Sequence, residues 1–319
     1  MTNTYPPEGR LLNASENQAA CASKAGLIQA MERRQVLEGH ALLCDAEHNL
    51  VVSLGGFTGI IPRAEAAIGI DDGSTREIAI LTRVGKPVAF TVERVENDAG
   101  EVRPILSRRA AQRMALAHAL DTLEPGMVIP VTVTHLEPFG AFVDIGCGVA
   151  SMIGIENISV SRIPHPDCRF TVGQEIYAVV QGVDREQGRI LLTHRELLGT
   201  WAENAAQFSP GMTVSGYVRG VKEYGAFVEL SPNLSGLAEL RGDLRDGDRV
   251  SVYIKAILPE RMKIKLLAID RLPPEPAPPA LRYFITSGTL RRWRYAPEGC
   301  AKPGAETVFE SKPPAKPGA

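Results

Sequence analysis

Gly126-Met-Val-Ile-Pro-Val-Thr-Val-Thr-His-Leu-Glu-Pro-Phe139-Gly-Ala-Phe142-Val-Asp-Ile145 decides the architecture, because it recurs. Downstream the chain runs Gly211-Met-Thr-Val-Ser-Gly-Tyr-Val-Arg-Gly-Val-Lys-Glu-Tyr224-Gly-Ala-Phe227-Val-Glu-Leu230, at a constant offset of 85 residues. A weaker copy lies upstream. Val84-Gly85-Lys86-Pro87-Val88 matches Val172-Gly173-Gln174-Glu175-Ile176, and Ile105-Leu106-Ser107-Arg108-Arg109 matches Leu191-Leu192-Thr193-His194-Arg195. Leu50 to Gly56 fills the slot of Ala141 to Gly146. In the quoted stretch Ala141, Val143 and Ile145 alternate with Phe142 and Asp144, the period of a half-buried strand. Lys263-Ile-Lys-Leu266 alternates as cleanly. Five such strands per about 70 residues, with Gly-rich turns between them, predict a small closed barrel.

The expected fold is therefore all-β. Three tandem five-stranded barrels span 36–110, 124–196 and 209–270, joined by short α-helices. Helical patterns cover Ser107 to Leu123, which stops before Pro125, and Arg195 to Phe208, which stops before Pro210. An N-terminal helical segment fills 1–35, where Ser15-x-x-Gln18 has the form of a capping box. Residues 271–319 hold ten of the 23 prolines and predict a disordered tail. Within it, Leu290-Arg-Arg-Trp293-Arg-Tyr295 reads either as a solvated basic run or as a short adhesive motif.

Charge narrows the classes of function. The 319 residues carry 35 Lys plus Arg against 37 Asp plus Glu, a formal charge of −2, which excludes a polycation that binds nucleic acid by bulk charge. The first ten residues lack the form of a signal peptide, and no apolar run reaches the roughly 18 residues of a spanning helix. Five cysteines (Cys21, Cys44, Cys147, Cys168 and Cys300) form no CxxC pair. The expectation is a cytoplasmic protein with reduced thiols, no membrane association and no metal, since Cys147, Cys168 and His165 fit no ligand spacing. Without a phosphate loop, a GxSxG or an HExxH, no catalytic residue and no cofactor is expected.

The candidate site is aromatic-Gly-Ala-Phe. Phe139 and Phe142 are three apart, which in a regular strand places them on opposite faces. A bend at Gly140 would bring them together. Phe142 shares the polar face with Asp144, and Tyr224, Phe227 and Glu229 repeat the layout. Two exposed rings make a platform on which bases stack; the alternative is that they are core. Arg189 and Lys263 begin the fifth strands and face outward, where a cation can meet a phosphate.

These motifs resemble the S-one RNA-binding domain, the five-stranded OB-fold repeat of ribosomal protein S-one. The resemblance covers about 40 to 270, strongly in the second and third copies. His194-Arg-Glu-Leu-Leu-Gly-Thr-Trp201 is similar to the helix between repeats in that family. The resemblance implies single-stranded RNA binding by Phe139, Phe142, Asp184 and Arg189 in the second copy, and by Tyr224, Phe227 and Lys263 in the third. Leu258 stands where Asp184 stands in the second copy, and a His that the family often has after its third strand is missing from both. The first copy has Val51, Ser53 and Leu54 in place of rings, which suggests a docking barrel. Residues 121–200 sum to −5 and 211–270 to +1, so the second barrel needs stacking and a few placed cations.

The expected function is single-stranded RNA (mRNA) binding in translation by a monomeric chain, as a component or associate of the small ribosomal subunit docked through repeat 1. The alternatives are a free RNA-binding regulator, an accessory module of an RNA-degrading machine and a protein scaffold.

Overall fold

Alternating strands close on themselves three times. The computed structural model describes residues 5–98, 101–239, 244–275, 278, 280–300 and 303–310. After α1 (Ser15–Cys21) and α2 (Lys24–Glu32), the first barrel is built from β1 (Leu37–Cys44), β2 (Leu50–Ser53), β3 (Thr58–Ile61), β4 (Pro87–Asp98) and β5 (Glu101–Ser107), with α3 (Ile78–Leu81) before β4. Helix α4 (Arg108–Thr122) leads to β6 (Val128–Glu137), β7 (Gly140–Asp144), β8 (Ala150–Gly154), β9 (Glu175–Asp184) and β10 (Arg189–Thr193). After α5 (Trp201–Ala205) come β11 (Thr213–Lys222), β12 (Gly225–Ser231), β13 (Leu234–Ala238), β14 (Arg249–Leu258) and β15 (Lys263–Leu272). Every barrel has the strand order first, second, third, fifth, fourth, closing on the first. The third and fifth strands run parallel in each, the arrangement of the five-stranded OB-fold.

Two helical expectations need correction. The continuous helix over Arg195 to Phe208 is a 3-10 turn at Arg195–Leu198 followed by α5, because Gly199 adopts φ 83° between them. Thr200 then restarts the helix with a capping box shared with Glu203. At Ser15 no capping box forms: Ala14 caps α1 without a side-chain bond, and Ser23 caps α2 by accepting from the Gly26 N–H at 3.0 Å.

The chain divides into two compact units, Met1–Thr122 with Asp144–Ala150, and Leu123–Val143 with Ser151–Ala319. In the first unit, Leu27 and Ala30 of α2 sit in the barrel core with Leu37, Leu50, Val52, Ile61, Phe90 and Leu106. Leu27 is fully buried and Met31 packs on this core, so the helix turns these side chains inward and not towards a partner. Buried carboxylates hold the N-terminal segment. Glu38 accepts the N–H groups of Gly9, Leu11 and Leu12 at 2.8–3.0 Å. Glu8 takes both Nε (2.6 Å) and Nη2 (3.0 Å) of Arg108 in a bidentate pair.

The second unit holds the second and third barrels around a latch. Asn233, fully buried in the β12–β13 turn, donates to the carbonyls of Arg195 and Gly199 at 2.8 Å each and accepts from the Val160 N–H at 2.9 Å. The expectation of disorder over 271–319 is corrected where the structure describes that segment. Arg271 and Leu272 complete β15, and β16 (Arg292–Arg294) pairs with β17 (Glu306–Val308). Trp293 is buried, neither solvated nor adhesive, and packs with Phe309, Val179 and Leu197. Burial of these rings offsets the ordering of a Pro-rich chain. Residues 311–319 lie outside the described residues.

His194 ties this tail down and sets a pH dependence. It is fully buried, and its Nδ1 lies 2.8 Å from the Ile158 carbonyl, so Nδ1 carries the proton and Nε2 accepts from the Tyr283 hydroxyl at 3.0 Å. Burial first, and then nearby Arg169, push its pKa down from 6.5 to about 4. The unfolded chain binds the extra proton more readily, so this contribution is complete above pH 6.5 and lost as pH falls towards 4. We expect a loss of about 3 kcal/mol across that window. Denaturant unfolding of the wild type and of His194→Gln at neutral and acidic pH checks it; an equal acid loss in both proteins would assign the effect elsewhere.

Candidate nucleic-acid interface

Both ring pairs form on the outer surface. Phe139 and Phe142 lie 6.0 Å apart at 87°, and Tyr224 and Phe227 lie 6.3 Å apart at 88°, two edge-to-face pairs. Phe139 is 56% exposed, Tyr224 67% and Phe227 38%, while Phe142 is half-buried. The core alternative is therefore excluded. The first ring of each pair sits in the turn before its strand, so strand alternation does not bind it. Glycine at the next position is required by close approach. A Cβ on Gly140 would lie 2.5 Å from the Ile153 carbonyl oxygen, and one on Gly225 2.5 Å from that of Ala238.

Register aligns the three barrels residue by residue. In the third, Phe227 pairs with Leu237 and Leu237 with Lys265, a row across three neighbouring strands. In the second, Met152 pairs with Leu191, and Phe142 stands where Phe227 does. In the first, Val51 pairs with Ile60 and Ile60 with Ile105. The same row is thus aliphatic in the first barrel, where Ile105 is buried, aromatic and aliphatic in the second, and ends on an ammonium in the third. Two residues before each last member stand Arg103, Arg189 and Lys263. The first barrel keeps a basic residue at this position and lacks the rings.

Asp184 and Arg189 face each other across the β9–β10 hairpin, where Asp184 accepts the Gln187 N–H at 2.9 Å. Lys263 pairs in register with Leu258, as the alignment predicts. Tyr224, Phe227 and Lys263 line one groove together with Lys255 and Lys265. The structure thus gathers the predicted residues of the third barrel, and in the second it gathers the rings.

Asp144 and Glu229 do not share the exposed platform. Asp144 is 3% exposed and accepts N–H groups from Glu8 (2.7 Å), Gly146 (2.8 Å) and Gly148 (2.9 Å). Glu229 is 4% exposed between two guanidinium groups, Arg169 at 2.6 Å and Arg219 at 3.1 Å. The alternation that put them on the outer face is right, but other segments cover that face.

Sequence reasoning missed His135. Its ring lies 6.3 Å from Phe142 at 35°, exposed beside Glu137 at 2.7 Å, and extends the second platform to three rings. Alternation with Val131 and Val133 would point it inward. The matching point of β11 carries a bulge between Val218 and Gly220, and such a bulge reverses the side. Met152 and Leu191, 39% and 52% exposed, were also missed; read alone, they look like core residues.

Comparison with known proteins agrees with this geometry. Residues 122–195 match the S1 RNA binding domain family. Small ribosomal subunit protein bS1 of Leuconostoc lactis is 32% identical over 242 residues, covering 70% of this chain and 54% of that protein. The bS1 homolog of Bacillus subtilis (strain 168) is 36% identical over 161 residues, 49% of this chain and 41% of that protein. A crystal structure of a multidomain protein with nucleic acid binding domains from Streptococcus pneumoniae aligns with a TM-score of 0.24 and 15% identity, covering 74% of this chain and 73% of that one. The chain spans about half the length of the curated relatives it matches. No described helix is long and apolar enough to cross a membrane. Residues 122–195 thus match the S1 RNA binding domain family, in a chain similar in sequence to the small ribosomal subunit proteins bS1.

Proposed function

We propose that this chain binds single-stranded mRNA on its second and third barrels and joins the small ribosomal subunit through its first. The observation that carries the reading is the edge-to-face ring pair, exposed in both barrels at one offset. Unpaired bases stack on such rings without regard to sequence, and a duplex offers no free base face. Arg189 and Lys263 supply phosphate contacts, and Asp184 shapes the turn that presents Arg189. Cytoplasmic, monomeric action fits a protein that meets mRNA as it engages a ribosome.

The first barrel supports the docking half of the reading. It has Val51 where the others have a ring, and it exposes Leu42, Leu43, Ile78, Leu81 and Val84. Hydrogen bonds from the Gly85 N–H to the Ala41 carbonyl (2.8 Å) and from the Ala41 N–H to the Lys86 carbonyl (3.0 Å) bring Val84 beside Leu42. Clustered apolar surface of this kind marks an interaction site. The double variant Leu42→Glu with Ile78→Glu is expected to lose most co-sedimentation with small subunits stripped of mRNA, at unchanged affinity for free RNA. Undiminished sedimentation moves the dock elsewhere. If the wild type does not sediment at all, the chain acts as a free RNA-binding regulator.

A further inference from the structure

The ring pair of the third barrel does not stand on an open face. It lines a groove of about 880 Å³, within the roughly 300–1,000 Å³ of sites that enclose small ligands. Tyr224, Phe227, Lys263 and Lys265 form one side, with the two lysines flanking buried Ile264 on β15. The other side includes Tyr295, Pro303, Gly304 and Ala305 from the C-terminal segment.

That second side is held firmly. The Trp201 N–H donates to the Tyr295 carbonyl at 3.1 Å, and the Tyr295 N–H donates to the Ala305 carbonyl at 2.9 Å. The Tyr295 hydroxyl donates to the Asn233 carbonyl at 2.5 Å. Thr307 donates to the buried carboxylate of Glu196 at 2.6 Å. Trp293 and Phe309, both buried, anchor the two strands that flank these residues. A segment pinned at so many points presents a fixed surface.

We propose that the C-terminal segment is a wall of the RNA groove on the third barrel, so that a nucleotide stacked on Tyr224 or Phe227 is also held against Tyr295 and Pro303. The inference rests on the RNA-binding reading above. The lysines make the groove complementary to a phosphate backbone, and the rings make it complementary to a base. An occupant of stacked, negatively charged units satisfies both.

The wall assigns a role to an exposed residue that packs into no core. Pro303 is exposed, so charge placed there leaves the fold alone and acts on whatever fills the groove. The test uses the full chain carrying Phe139→Ala and Phe142→Ala, with a short fluorescein-labelled oligouridine as probe. Pro303→Glu is expected to weaken binding and Pro303→Lys to strengthen it, by about three- to tenfold each at low salt, with the difference shrinking as salt rises. Glu298→Lys, on an exposed turn that does not line the groove, is the control. Photo-crosslinking of a thiouridine-bearing RNA is expected to label the peptide containing Tyr295. If both Pro303 variants move affinity no more than the control does, and adducts are confined to barrel peptides, the segment is not a wall. If Tyr224→Ala with Phe227→Ala then still abolishes binding, only the wall has failed. If that pair also leaves affinity intact, the RNA reading of the third barrel has failed with it.

Discussion

Replacing Phe142 and Phe227 together by Ala is expected to weaken binding of unstructured RNA by about 2–6 kcal/mol, the sum of two stacking contacts worth roughly 1–3 kcal/mol each. The two sites lie in separate barrels, so the losses should add. Phe142 lies beside Phe139 at 6.0 Å and His135 at 6.3 Å, Phe227 lies beside Tyr224 at 6.3 Å, and neither Phe142 nor Phe227 is buried. Removing them should therefore leave unfolding midpoints within about 1 kcal/mol. Filter binding with a single strand and with the matching duplex, alongside thermal unfolding, checks the expectation. The wild type should prefer the single strand, and the double variant should lose that preference. Unfolding of the barrels with RNA affinity otherwise intact, or equal wild-type affinity for duplex and strand, contradicts it.

Local pattern carried most of what is regular in this chain. The repeat offset and the period of two predict three barrels, their strand faces and the outward direction of Arg189, Lys263 and Lys265, because a closed sheet leaves each side chain one of two directions. Departures arise where a distant segment intervenes. Trp293 reads as a basic-run aromatic until a cavity between Val179 and Leu197 receives it. His135 reads as inward by alternation, yet its ring is exposed beside Phe142. Gly199 looks like a minor interruption in a helix, yet at φ 83° it divides a 3-10 turn from a newly capped helix. Proline content predicts the absence of regular hydrogen bonding in the tail, but it says nothing about anchors such as Tyr283 and Phe309. Of the site, the rings were legible and their surroundings were not, since the groove is assembled from residues about 80 positions apart.

Glu229 is where that long-range contribution can be measured. It lies two residues after Phe227 on β12 and shares its outward face, but Arg169, from the loop before β9, covers it. One carboxylate then meets Arg169 at 2.6 Å and Arg219 at 3.1 and 3.3 Å. Arg169 is 2% exposed, and its Nε has no partner among the described residues, so Glu229 supplies the countercharge at this contact. Glu229→Gln leaves the buried guanidinium of Arg169 facing the partly buried one of Arg219. It is expected to destabilise the unit by about 3–5 kcal/mol, the penalty of an uncompensated buried charge. Denaturant unfolding followed by Trp201 fluorescence reads this, since Trp201 lies in the core of the third barrel. A loss below about 1 kcal/mol would mean that solvent reaches the cluster and screens it. The triple replacement Arg169→Met, Arg219→Met and Glu229→Met should recover most of the stability, because apolar groups of similar volume need no countercharge. Recovery would separate the cost of the orphaned charges from any role of the cluster in the shape of the neighbouring groove, and RNA affinity measured on the recovered protein reports that role directly.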